Sequence, residues 1–172
     1  MSKSAGSVVV TGASTGIGKA CALQAARAGF RVFAGVRRDA DADALRRESR
    51  DALVPLHIDV TDDASIADAV RQLETAVGDA GLHGLVNNAG IVVPGPLECV
   101  PLAELRRQFD VNLFGTVAVT QAFLPLLRRA RGRIVNMGSI NGLLAAPLTG
   151  PYCMSKHALE AFSDSLRMEL AP

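Results

Sequence analysis

Cysteine is scarce in this sequence, and the three present, Cys21, Cys99 and Cys153, stand far apart. They form no C-x-x-C pair and no metal-ligand spacing. Buried or half-buried free thiols in a reducing, cytoplasmic setting are the expectation. The three histidines, His57, His83 and His157, are equally scattered. His57 lies inside an apolar run and reads as a strand residue rather than a ligand. Charge of one sign is also missing. The 18 Lys+Arg face 17 Asp+Glu, a net charge of +1, so no global field draws nucleic acid. Long apolar runs are lacking too. Ser7-Val8-Val9-Val10 is too short for a signal-peptide core, and Thr11-Gly12 stops it. No stretch approaches the about 20 apolar residues of a membrane span. Internal repeats, low-complexity tracts and long linkers are absent, so residues 1–172 read as one domain. What is there is ordinary for a folded domain: 49% hydrophobic and 20% charged residues over 172 positions. That is enough apolar surface to offset chain entropy, which excludes disorder as the main description.

Short, continuous, β-branched runs alternate with longer helical patterns. Strands are predicted at 7–11, 31–36, 53–58, 84–87 and 133–137, each bounded by turn residues as buried parallel strands are. Helices are predicted at 17–28, 62–77, 102–129 and 152–170. In the second, Ile66, Val70, Leu73 and Val77 recur at helical spacing, with Thr61 as the expected N-cap and Asp62 and Asp63 at the positive end. Gly29 suits the position just past the first helix. Pro125 is expected to bend the long one. Strand–helix–strand alternation implies right-handed crossovers and an α/β fold, a doubly wound parallel sheet of order 3-2-1-4-5. Ligands of such sheets bind beyond the carboxyl ends of the strands.

Just there stands Thr11-Gly12-Ala13-Ser14-Thr15-Gly16-Ile17-Gly18. Gly12 allows a tight turn, Gly16 a close approach of backbone to a diphosphate, and Gly18 close helix–strand packing. The helix N-terminus faces the negative charge. Further on come Asp59-Val60 after the third strand, Asn87-Asn88-Ala89-Gly90 after the fourth, and Asn112 in the long helix. Ser139 follows the fifth strand, and then comes Tyr152-x-x-x-Lys156. Taken together, this series resembles the short-chain dehydrogenase/reductase family from about Ser7 to Leu170. The segments 32–36 and 163–170 look like its retinol- or hydroxysteroid-dehydrogenase-type members.

The chemistry has its own logic. Tyr152 and Lys156 project from one helix face. A phenol is a poor base at neutral pH, and an adjacent ammonium stabilises the phenolate. Tyr152 is the single tyrosine, so the role has no rival. The resemblance implies a Rossmann-like fold and reversible hydride transfer between a nicotinamide and a carbonyl or alcohol carbon. It implies Tyr152 as proton donor and acceptor, Lys156 bonding the nicotinamide ribose, Ser139 orienting the substrate oxygen and Asn112 holding a water that connects the lysine to solvent. It places the cofactor against Gly12, Ser14, Thr15, Gly16, Ile17, Gly18, Asp59, Val60, Asn88, Ala89 and Gly90, with Tyr152 and Lys156 beside the nicotinamide.

NAD-preferring folds place a carboxylate at the end of the second strand. Here Val36 stands there and Arg37 follows, which favours NADP(H) and leaves NAD(H) as the alternative. The segments 142–151 and 91–96 are apolar and suit a hydrophobic ketone or secondary alcohol. A dinucleotide-binding module without turnover is the rival reading. A sugar-nucleotide epimerase is disfavoured by the glycine spacing. The resemblance also implies a homodimer or homotetramer for a complete chain. The pattern stops before a sixth strand, so the expectation is five strands with the later ones missing, an incomplete sequence and a weakly active isolated chain.

Overall fold

In a computed structural model, which describes residues 5–49 and 52–171, the five apolar runs form one parallel sheet. The N-terminal residues 1–4 and the chain end at Pro172 lie outside the described residues. The strands are β1 (Ser7–Val10), β2 (Arg31–Val36), β3 (Leu53–His57), β4 (Gly84–Asn87) and β5 (Arg133–Asn136). Their order is β3-β2-β1-β4-β5, the doubly wound arrangement. Between them run α1 (Gly16–Arg27), α2 (Asp39–Ser49), α3 (Asp63–Val77), α4 (Leu102–Phe109) and α5 (Gly115–Ala130), and α6 (Gly150–Glu169) follows β5.

Strand alternation sends neighbouring residues to opposite faces. Val8, Val10, Val32 and Ala34 pack with Ala22 of α1 and Leu45 of α2. Val9, Phe33 and Leu85 pack instead with Leu73 of α3 and with Val119 and Phe123 of α5. The central strands β1 and β2 are thus covered on both faces, which explains why they read as apolar runs.

Several local expectations need correction. The N-cap of α3 is Asp62, not Thr61, because the Asp62 carboxylate accepts from the amides of Ala64 and Ser65. Helix α2 was not foreseen. Its sequence is mostly charged, and only Ala42 and Leu45 mark an apolar buried face. The long helix changes pitch at a π turn, Asp110–Phe114, while α5 carries Pro125 through to Ala130. By length and composition alone, the run Leu102–Ala130 is long and apolar enough to cross a bilayer, contrary to the reading of short runs only. In this fold its residues Val119, Phe123, Leu126 and Leu127 belong to the core. Cys99 is exposed rather than buried, while Cys153 is buried and Cys21 half-buried. His57 ends β3 and pairs with Asp39 at 3.0 Å on the surface.

Candidate active site

The glycine loop is held open by a side-chain stitch. Thr11, 1% exposed, accepts at Oγ1 from the amides of Asn88 (3.0 Å) and Ala89 (3.1 Å). Asn88 Nδ2 returns two bonds, to the carbonyls of Thr11 and Gly12, both at 3.0 Å. The loop after β1 and the loop after β4 are therefore one unit. Gly12 has φ +62°, and a Cβ there would lie 2.8 Å from the Ala89 Cα. A Cβ on Gly18 would lie 2.3 Å from Asn88 Nδ2, so Gly18 leaves room for that amide rather than merely for helix packing. The first turn of α1 carries no acidic residue, so its positive end faces the cleft uncompensated.

A cleft opens beyond these loops at the carboxyl ends of the strands. Gly12, Ser14, Thr15, Ile17 and Gly18 line one side. Asp59, Val60, Asn88, Ala89 and Gly90 line the other, with Arg37 at the end of β2. Gly16, which opens α1 at φ +56°, is not in the lining, and neither are Tyr152 and Lys156 on α6. β2 ends at the buried Val36 and Arg37 follows, so a carboxylate stands at neither position. Arg38 is held by Asp41 through two 2.9 Å bonds. Asp39 pairs with His57 and Asp43 with Arg46, while Asp41 is bonded to Arg38 and also lies within the field of the Arg37 charge. Asp59 is braced by Thr61, whose amide and hydroxyl donate to Oδ1 at 2.9 and 2.7 Å. Burial pushes the Asp59 carboxyl up, but the two Thr61 bonds and the Arg37 charge outweigh it and hold the acid below its usual range.

The other four residues gather around the start of α6. Asn112, 1% exposed, sits in the π turn. Its Oδ1 accepts from Ile91 N at 2.8 Å, and its Nδ2 donates to Ile91 O at 3.0 Å and to Ser155 Oγ at 3.1 Å. The wider π pitch turns this amide toward α6 and seats Gly115 against the Val60 carbonyl, where a Cβ would approach to 2.7 Å. Ser155 then donates to Tyr152 O at 2.8 Å. Lys156 is buried, and its Nζ lies 5.7 Å from the Tyr152 ring centre and donates to Met137 O at the end of β5. Burial pushes the Lys156 ammonium below its usual range, and the Glu160 charge opposes that only in part. Ser139 caps the short turn Ile140–Gly142, its Oγ accepting from Asn141 N at 3.2 Å. That turn is tied to Thr149, the residue preceding α6, through a 3.4 Å bond from Asn141 Nδ2 to its Oγ1.

Sequence reasoning missed Thr11, Thr61 and Ser155. Thr11 could have been found from its place between strand and glycine loop. The bonds of Thr61 to Asp59 and of Ser155 to Asn112 leave no distinctive pattern in the sequence.

A doubly wound sheet with a glycine-lined cleft beyond its strands defines a Rossmann-like fold. The comparisons narrow this further. A family model described as short chain dehydrogenase matches residues 6–172, and the chain belongs to that family. It is 44% identical over 165 residues to retinol dehydrogenase 16 of Mus musculus, covering 95% of this chain and 52% of that protein. It is 41% identical over 167 residues to the NADPH-dependent 3-dehydrocapnine reductase of Ornithobacterium rhinotracheale, covering 94% of this chain and 59% of that one. The crystal structure of a short-chain dehydrogenase from Streptomyces avermitilis superposes with a TM-score of 0.91 at 36% identity, covering 100% of this chain and 63% of that chain. The chain spans about half the length of the retinol dehydrogenase it matches.

Proposed function

We propose that this chain carries the cofactor cleft and proton-transfer residues of an NADP(H)-dependent oxidoreductase acting on a hydrophobic ketone or secondary alcohol. The observation that carries the reading is the Lys156 ammonium, buried at the end of β5 and 5.7 Å from the Tyr152 ring. The residues present fit a dinucleotide. Two positive-φ glycines, Gly12 and Gly16, open the loop, and the unopposed N-terminus of α1 favours a diphosphate. Arg37, exposed in the cleft and without a carboxylate at the end of β2, suits a 2′-phosphate. The name of the related NADPH-dependent reductase agrees with that choice.

When bound, the nicotinamide supplies the hydride chemistry. Tyr152 gives the proton at Oη to the forming alkoxide oxygen in reduction and takes it in oxidation. Lys156 holds its ammonium beside the phenol, 5.7 Å from the ring centre. Ser139 Oγ already accepts from Asn141 N, which leaves its hydrogen to orient the substrate oxygen. Asn112 fixes the start of α6 through Ser155 and the loop at Ile91. Exposed Leu143, Leu144 and Leu148, which lie between Ser139 and Tyr152 in the chain, offer apolar surface for such a substrate.

The test is fluorescence titration with NADPH and NADH, joined to turnover of a panel of hydrophobic ketones. NADPH is expected to bind more tightly, and Tyr152→Phe to bind it unchanged while losing turnover. Retained turnover in Tyr152→Phe overturns the proton-transfer assignment, and tighter NADH binding overturns the cofactor choice. Cofactor binding without turnover in the unsubstituted chain would assign a dinucleotide-binding module instead.

A further inference from the structure

Glu160 lies on α6 one helical turn beyond Lys156, and none of the roles above uses it. Its surroundings are specific. A Cβ on Gly138 would meet Glu160 Oε1 at 2.6 Å. A Cβ on Gly142 would meet Glu160 Cγ at 3.1 Å and the Lys156 carbonyl at the same distance. Two glycines therefore form a niche that this half-buried acid fills. The niche adjoins the peptide that receives the lysine. Lys156 Nζ donates to Met137 O, and Gly138 is the next residue. Ammonium and carboxylate thus approach the same stretch of backbone, Met137–Gly138.

The other titratable groups around Lys156 are differently engaged. Tyr152 faces it through its ring. His157 is exposed and turns Nδ1 to Cys153 O at 2.9 Å. Asp110 of the π turn lines a separate cleft with Thr61 and Asp63. Asp164, one turn beyond Glu160, pairs with Arg167 at 3.0 Å. The Glu160 charge favours the ammonium form of Lys156 against the effect of burial.

We propose that Glu160 is a positioning residue for Lys156: seated against Gly138 and Gly142, its carboxylate draws the ammonium to the Met137 carbonyl and so holds it at the Tyr152 ring. The role rests on the reading of Lys156 as the partner of Tyr152. Glu160 acts through Lys156 and touches no reacting atom. The side chain suits the task because an isolated buried ammonium is costly, and a nearby opposite charge offsets part of that cost.

The chain holds three lysines, Lys3, Lys19 and Lys156, so a carbon-13 lysine label gives a small set of side-chain signals to follow against pH by NMR. Lys156→Arg identifies the signal of interest. Glu160→Gln keeps the shape and removes the charge. It is expected to lower the Lys156 midpoint by about one unit, with Glu160→Asp falling between it and the unsubstituted chain. Lys19 and an Asp164→Asn control are expected to stay put. An unmoved Lys156 midpoint in a natively folded Glu160→Gln, or an equal shift in Asp164→Asn, overturns the proposal. If Glu160→Gln does not fold, Glu160→Asp decides, since it keeps the charge while withdrawing it from the niche. In that variant too, an unmoved midpoint overturns the proposal. The titration needs no cofactor. A chain that fails to bind NADPH would overturn the proposed function and leave this result standing by itself.

Discussion

The Thr11 stitch makes a quantitative claim that substitution can test. Thr11→Val keeps the shape of the side chain and removes its hydroxyl. Two amides, Asn88 N and Ala89 N, then lose the acceptor they use at 3.0 and 3.1 Å. The bond from the Thr11 hydroxyl to Val86 O, at 3.4 Å, is long and adds little. Stranding a buried donor costs about 1–3 kcal/mol. Asn88 and Ala89 are half-buried, so the low end applies to each. The expected loss is about 2–3 kcal/mol, or a fall in Tm of roughly 5–10 °C for a chain of this size. Thr11→Ser keeps the acceptor and loses one methyl, which costs about 1 kcal/mol. Urea unfolding followed by circular dichroism measures both, with a common slope showing that the unfolded states are comparable. The same variants read the cleft, because the stitch fixes Gly12 against Ala89. NADPH affinity should fall in Thr11→Val and hold in Thr11→Ser. Equal stability of the Val and Ser variants would refute the reasoning, since the hydroxyl would then be worth no more than the methyl.

Other perturbations read other layers. Phe123→Ala removes a fully buried ring between the sheet and α5 and should cost about 3–5 kcal/mol in the same unfolding assay. A loss under 1 kcal/mol would place Phe123 outside the core. Arg37→Ala should weaken NADPH about tenfold or more while NADH changes little, because one charge-assisted contact to phosphate is removed. Arg38→Ala should do less, since Asp41 already holds that guanidinium. Equal loss for both cofactors on Arg37→Ala would contradict this. Thr61→Val tests the depressed Asp59 carboxyl. A carboxyl whose folded pKa lies below its unfolded one adds stability above the unfolded value, near 3.9, and loses it as pH falls through the folded value. The gap in urea midpoint between the unsubstituted chain and Thr61→Val should therefore be present at pH 6 and shrink below about pH 4. A pH-independent gap would detach Thr61 from the titration of Asp59.

How much of this was legible follows from where each signal resides. Sheet order was readable because the central strands β1 and β2 are almost wholly buried and appear as apolar runs, while β3, β4 and β5 keep short apolar segments between turn residues. Helix α2 was not, because Asp39, Asp41, Asp43, Arg46, Arg47 and Glu48 dominate a segment whose buried apolar face is two residues wide. The N-cap of α3 was misplaced by one residue because Thr61 and Asp62 are both competent caps. The local turn decides between them by engaging Thr61 with Asp59, two residues back. The π turn had no local sign at all. It follows from the three bonds of Asn112 to Ile91 and Ser155, which join residues remote in sequence. The loop glycines and Tyr152-x-x-x-Lys156 were visible because they are short local patterns. What surrounds them was not, because a hydroxyl that bonds a distant carbonyl looks the same in sequence as one that bonds water.

That distinction bears on how the site keeps its geometry. A run of side-chain bonds crosses the sheet behind it. Thr116 donates to Asn112 O, Thr120 to Thr116 O, and Asn87 Nδ2 to both Thr120 Oγ1 and Asn136 Oδ1. Asn136 in turn donates to Ser163 of α6. The run begins at the π turn and ends on the helix that carries Tyr152 and Lys156. It ties α5, β4, β5 and α6 together without passing through the cleft. Asn87 Oδ1 is buried without a partner within this arrangement. Both Asn87 amide hydrogens are spent on cross-element bonds, and the amide cannot turn to satisfy its oxygen without breaking them. These two bonds give a fixed relation between the strand ends and α6. Side-chain bonds depend on direction as apolar contacts do not, so a connection of this kind can set the position of a buried lysine where packing alone would leave it freer.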